Sequence, residues 1–283
     1  MTAARREAQR AILVTLAVYA AYGVLRLASP SLAGFGLVAA FYFLPAWMLR
    51  EHPEWAREDE VGPESPIPPW RRSGWRTALV VSLLVFPPFA LFTFAFYERI
   101  CGGDLGWVQP LLSAEAHTPF AGGLERFWSG QCAHYVQEFI PSRGRFPSEW
   151  MQGAQVGRDW GIGAWLGLAG AGLLDMAVGL FAVALPEEVF HRGYLMGALD
   201  RAWPPRRQIL GARLGMGALI SSLLFALGHL VAFAEPARLA TFFPALLFAW
   251  LWRRSGSLWA PALVHFASNL LMAFLLASLF AGR

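Results

Sequence analysis

The chain has 283 residues, of which 56% are hydrophobic and 15% charged, and its mean hydropathy is positive. That balance excludes a soluble globular domain as the default and places the protein in the membrane class before any motif is read. A net charge of +4, with arginines clustered at helix ends, gives no argument for a nucleic-acid partner.

A bilayer core of about 30 Å asks for windows of about 18 or more apolar residues. In chain order such windows fall at 11–28, 31–49, 77–97, 162–185 with an extension to 199, 214–234, 237–252 and 258–281. The sixth is short. The expected fold class is all-α, a polytopic transmembrane helix bundle of about 7–8 spans. Arg5, Arg6 and Arg10 precede the first window and no small-residue cleavage site follows it, so it reads as a retained helix.

Residues 1–49 form a predicted helical hairpin with a tight Ser-Pro-Ser turn at 29–31. The segment 50–76 is rich in Pro, Glu and Arg and reads as an extended, solvated linker within an N-terminal region 1–97. Residues 98–160 form a mixed loop whose Trp107, Phe127, Trp128, Tyr135 and Phe139 either cap the membrane surface or pack the loop on itself, with the second expected. From 161 to 283 runs a predicted catalytic membrane core. Its first window holds Gly163 and Gly167 at a spacing that lets helices approach closely in lipid. It also holds Asp175, either a buried hydrogen-bonded acid or a functional carboxylate, with the first expected here.

All 23 basic residues are arginine. With abundant Ala, Gly, Pro and Trp, this suggests a bacterium with a GC-rich genome. Fifteen of them fall in the N-terminus, the 50–76 loop, the segment 192–213 and the pair Arg253/Arg254, and eight elsewhere. The positive-inside bias then places the N-terminus and those segments in the cytoplasm, in an inner membrane, with 98–160 outside. Cys101 and Cys132 lie in that outer loop and either pair as a disulfide or stay as two thiols.

Three polar clusters interrupt the apolar helices. In L-P-E-E-V-F-H-R, 185–192, about 100° per residue puts Glu187 with His191 on one face and Glu188 with Arg192 on another, the latter spaced for an ion pair. Phe225 and His229 lie one turn apart, as do His265 and Asn269. Singly, each has a structural explanation: solvated helix-end glutamates, packed histidines, an asparagine bonded across helices. Gathered around one water-filled cavity, they would offset the cost of burying polar groups. A carboxylate there is a general base, a histidine beside it helps hold a water, and a histidine–asparagine pair can donate to an oxyanion. That combination suits peptide-bond hydrolysis. Assembly requires the fourth helix to continue through 194–199, which would bring Glu187 near mid-bilayer beside His229.

E-E-x-x-x-R (Glu187, Glu188, Arg192), F-x-x-x-H (Phe225, His229) and H-x-x-x-N (His265, Asn269), in order on separate helices, resemble the CPBP intramembrane proteases. That family includes type II CAAX prenyl endopeptidases and bacterial bacteriocin-processing or self-immunity relatives. The resemblance covers about 160–283; the first 159 residues contribute generic membrane helices. It implies an active site inside the bundle, with Glu187 as general base, His229 helping to bind the water, His265 and Asn269 as oxyanion hole, and Glu188 with Arg192 supporting the site. It implies no cofactor, though Glu187, His229 and His265 would be the ligands were a divalent metal such as zinc used. The implied partner is a membrane-anchored protein or peptide substrate, and a bacterial, myxosortase-like member would process a leader or a C-terminal sorting tag. The family commonly has an aromatic residue directly before the Arg; here His191 stands there and either hydrogen-bonds Glu187 one turn away or faces the headgroups, with the second expected. The rivals are a non-enzymatic immunity or scaffold protein of the same fold, and a proton-coupled transporter.

Overall fold

The computed structural model describes residues 2–52, 67–96, 172–234 and 236–280. The 98–160 loop, with Cys101 and Cys132, and Gly163 and Gly167 fall outside them. Two compact units are present: Met1–Ser82 with Ala177–Ala267, and Leu83–Met176 with Ser268–Arg283.

Helix α1 runs Ala3–Ala28, started by Thr2, whose side chain accepts from the Arg5 amide at 3.4 Å. It ends at Ser29, which caps α2 (Pro30–Glu51) through a bond from the Leu32 amide. Pro30 then occupies the first turn of α2, where a missing N–H costs nothing. The predicted hairpin thus forms around one residue that closes one helix and opens the next. Helix α3 spans Arg72–Phe96.

The fourth helix, α4, is helical from 172 to 202. It is not regular. Two stretches, Gly179–Ala184 and Val189–Met196, are wound as wide π turns, with Leu185–Glu188 as ordinary α-helix between them. Such turns recur at functional sites. The helix does continue through 194–199, so Glu187 lies about 20 Å from its end. From Ala184 to Asp200 only Glu187 is less than fully buried, so this is a central helix, apolar nearly all round.

A short hairpin follows, β1 (Arg207–Ile209) against β2 (Ala212–Leu214), turning through Leu210 and Gly211 with φ of 46° and 81°. Gly tolerates that left-handed backbone freely. Helix α5 spans Met216–Phe233, a 3₁₀ turn Pro236–Thr241, α6 Phe242–Ser255 and α7 Trp259–Phe280.

In the first unit, α4 has two dry seams. Phe190, Tyr194, Leu195, Ala198 and Leu199 pack against Ala8, Ala11 and Tyr19 of α1, Phe41 of α2 and Leu224 of α5. Leu185, Val189 and Met196 pack against Ala249 and Trp252 of α6 and Leu258, Trp259 and Ala262 of α7. Outward faces carry exposed apolar side chains such as Leu13 and Phe35, as helices in lipid do. Among the described residues, α1, α2, α3 and α5 are long and apolar enough to cross a membrane, and α6, at 14 residues, is short of a full span. The protein is an all-α integral membrane bundle.

Ion pairs gather at one end of this unit. Arg201 bonds Glu7, Arg253 bonds Asp200, and Arg10 meets His52 at 3.2 Å. Ser73 donates to the Ser255 carbonyl at 3.0 Å nearby in the fold, linking α3 to the α6–α7 turn. The starts of α1, α3, α5 and α7 therefore meet the ends of α2, α4 and α6, as successive spans of alternating direction require.

Two expectations change. The 50–76 linker is not wholly solvated: Pro68 is buried, its carbonyl accepts from the Trp259 indole at 3.0 Å, and Trp70 meets that ring edge-on. An indole N–H in an apolar setting needs such a partner. Asp175, in the second unit, is exposed and not a buried acid.

Gly217 starts α5 directly against the Asp200 carboxylate, leaving no room for a Cβ. Gly217→Ala is expected to displace Asp200 from Arg253 and cost about 1–3 kcal/mol, read as a lower thermal midpoint of the purified protein in detergent.

Candidate active site

Glu187 and Glu188 sit on the one regular turn between the two wide ones. Adjacent residues on a helix point about 100° apart, and the two carboxylates take different company. Glu188 is fully buried and approaches the Arg192 Nε at 3.1 Å, one turn on, as a charge contact without hydrogen-bond alignment. Its other oxygen accepts from His265 Nδ1 at 3.0 Å. Arg192, also fully buried, donates from Nη2 to the Ala245 carbonyl at 3.0 Å and lies over the rings of Phe225 (4.7 Å) and Phe248 (5.5 Å). A buried cation in a bundle needs a partner charge and acceptors, and α6 supplies what Glu188 does not. Because Arg192 lies inside, it does not belong among the arginines counted toward the cytoplasmic face.

Glu187 points to the opposite side. Its Oε2 is buried and, among the described residues, has no hydrogen-bond partner. It borders a cavity of about 220 Å³ lined also by Tyr19, Leu37, Phe41, His191 and His229. His265 spans both glutamates, with Nε2 3.8 Å from Glu187 Oε2, within ion-pair reach and beyond a hydrogen bond. Its ring stacks on Phe248 at 4.8 Å.

His229, on α5, donates from Nδ1 to the Phe225 carbonyl at 3.1 Å, since a carbonyl can only accept. The neutral ring then offers a bare Nε2. Phe225 is the hub of the site, its ring 5.0 Å from His191, 4.5 Å from His229 and 5.8 Å from His265.

His191 corrects the expectation that it would face the headgroups. It is buried, its Nδ1 donates to the Glu187 carbonyl at 2.8 Å, and its Nε2 bonds the Tyr19 hydroxyl at 2.5 Å. The physical reason is that α4 continues as a central helix, so no headgroup region lies near residue 191. Asn269 follows His265 by one turn on α7, is exposed, and falls in the second unit.

The first unit thus brings together Glu187, Glu188, Arg192, His229 and His265. The motifs did not reveal Tyr19, Phe248 or the Ala245 carbonyl, which reach the site by packing alone. The only signal for Tyr19 was a phenol in an otherwise apolar run. Among the described residues, no three His, Cys, Asp or Glu side chains are gathered in a way that could hold a metal ion.

Removing Glu188 would leave Arg192 buried without its counter-charge. Glu188→Ala is expected to cost about 3–5 kcal/mol, measured as loss of folded protein in membranes together with a lower melting temperature in detergent.

No curated protein and no solved structure matches the chain. The family model described as type II CAAX prenyl endopeptidase Rce1-like matches residues 169–271. That segment contains all three motifs, the central helix and every polar group just placed around Glu187 except Tyr19. Over residues 169–271 the chain is similar to the type II CAAX prenyl endopeptidase Rce1-like family.

Proposed function

We propose that the protein hydrolyses a peptide bond in a membrane-associated protein or peptide, with a water activated by Glu187. The observation that supports this most is the asymmetry of the two glutamates. Glu188 is engaged on both oxygens, whereas Glu187 keeps a buried, unbonded oxygen beside a cavity. Both carboxylates keep an Oε2 without a hydrogen bond among the described residues, but that of Glu188 faces the Arg192 guanidinium at 3.1 Å, whereas Glu187 borders the cavity.

In this reading the attacking water donates one hydrogen to Glu187 and the other to the bare Nε2 of His229. As water adds to the scissile carbonyl, Glu187 takes its proton and returns it to the leaving amine. His265 donates to the oxyanion. Its Nδ1–H is already used on Glu188, so the ring must carry both protons in that step, with Glu188 as counter-charge. Asn269 is assigned as second donor from the motif and its one-turn spacing. Glu188 and Arg192 hold the shape. No cofactor enters this mechanism.

The region 161–283 is taken as catalytic core, and 1–97 as helices that complete its walls. The arginine-rich end of the bundle is assigned to the cytoplasm of a bacterial inner membrane, which leaves 98–160 on the outer side, able to meet exported proteins. Removal of a C-terminal sorting tag, or of a leader, suits that placement.

The test is Glu187→Gln in cells of the source organism, followed by mass spectrometry of membrane-protein termini. Specific mature termini are expected to disappear while the variant accumulates at the wild-type level. Unchanged termini with a folded variant would overturn the hydrolytic reading.

A further inference from the structure

The cavity beside Glu187 has a wall that the family match does not cover. Tyr19 enters it from α1, 150 residues before the matched segment begins, with its side chain almost wholly buried. Its hydroxyl makes a 2.5 Å hydrogen bond to His191 Nε2. The end of the ring, hydroxyl included, lies over Gly228 of α5, where an added Cβ would meet it.

The hydrogen-bond directions follow from chemistry. The Glu187 carbonyl can only accept, so His191 Nδ1 carries the hydrogen. Nε2 is then bare and accepts from Tyr19. An unbroken series runs from Tyr19 O–H through the imidazole to the carbonyl of Glu187. The ring between is held edge-on by Phe41 (5.3 Å) and Phe225 (5.0 Å) and cannot swing away without repacking both. The same phenol lies over Gly228, the residue before His229.

We infer that Tyr19 is a positioning residue of the hydrolytic site: its hydroxyl, acting through His191 on one side and Gly228 on the other, sets the gap between Glu187 and His229. This inference rests on the hydrolytic reading above. That gap is where the attacking water would sit, and displacement by about 1 Å at such a point costs on the order of 100-fold in rate. It also gives His191, which stands where the family commonly has an aromatic residue, a reason to be histidine: an aromatic hydrocarbon there would fill the space but transmit no hydrogen bond. Gly228 is required to be small for the same contact.

The experiment uses the full chain in detergent with Tyr19→Phe, His191→Phe and the double variant. The substrate is a synthetic peptide spanning a terminus lost in the Glu187→Gln cells. Tyr19→Phe is expected to lower kcat about 10- to 100-fold with KM within about twofold and an unchanged thermal midpoint. The double variant should be no worse than the worse single, because both break one series. In ¹⁵N-histidine spectra, Tyr19→Phe should move the His191 Nε2 resonance to that of a nitrogen without a hydrogen bond and shift the His229 ring as well.

A kcat within about twofold of wild type, losses that multiply in the double variant, or a KM rising in step with the loss would each overturn the inference. So would an unmoved His229 resonance. If Tyr19→Phe does not fold, His191→Phe carries the kinetic readings and the His229 resonance. If no terminus is lost in the Glu187→Gln cells, the hydrolytic reading falls, and the His229 resonance alone decides whether Tyr19 holds the spacing.

Discussion

The fully buried pair of Glu188 and Arg192 is the constraint on which the rest of the first unit depends. Two opposite charges in an apolar bundle are tolerated only when their mutual attraction is joined by further polar and aromatic support. Here α6 contributes the Ala245 carbonyl and Phe248, α7 contributes His265, and α5 contributes Phe225. Those helices must close on α4 at one register to do so. Once Glu188 is committed to the α6–α7 side, its neighbour Glu187 is turned by about 100° toward α1, α2 and α5. The cavity lies there. The carboxylate that borders the cavity is thus placed by the one beside it.

Burial of the polar groups has a common logic. Phe225 meets Arg192 with its face and three imidazoles with its ring, while Phe248 serves Arg192 and His265. Aromatic rings carry a negative face and a positive edge. They can therefore surround cationic and polar groups without bringing in donors or acceptors that would need partners of their own. Apolar packing and electrostatic support come from the same side chains. The two wide stretches of α4 flank the turn that carries both glutamates, and the Phe181 carbonyl inside the first of them accepts from Tyr42 of α2 at 2.6 Å. A wound-out helix needs such outside partners for its backbone.

Much of this was legible in the chain. The hydrophobic windows located the described helices, because apolar length is a direct requirement of the bilayer, although α1, running Ala3–Ala28, starts well before its window at 11. The Ser-Pro-Ser turn announced itself through capping chemistry. The i,i+4 spacing foretold the Glu188–Arg192 contact, since it depends only on local helix geometry. The reading of Pro68 and Trp70 as solvated linker failed because Trp259, 191 residues beyond Pro68, needed a carbonyl for its indole. The reading of 1–159 as generic helices failed at Tyr19, which looks like any other residue of an apolar span until α4 is laid beside it.

By itself, the sequence determined that the chain has the apolar helices of a membrane protein, and that three polar motifs in its C-terminal part fall within the segment similar to the Rce1-like family. These follow from composition and from spacings within single helices. Only the tertiary structure decided which glutamate is free, that His191 turns inward, and that α1 contributes to the site. Each of those depends on what lies across a helix interface, and no local periodicity encodes which of several apolar faces a helix will meet.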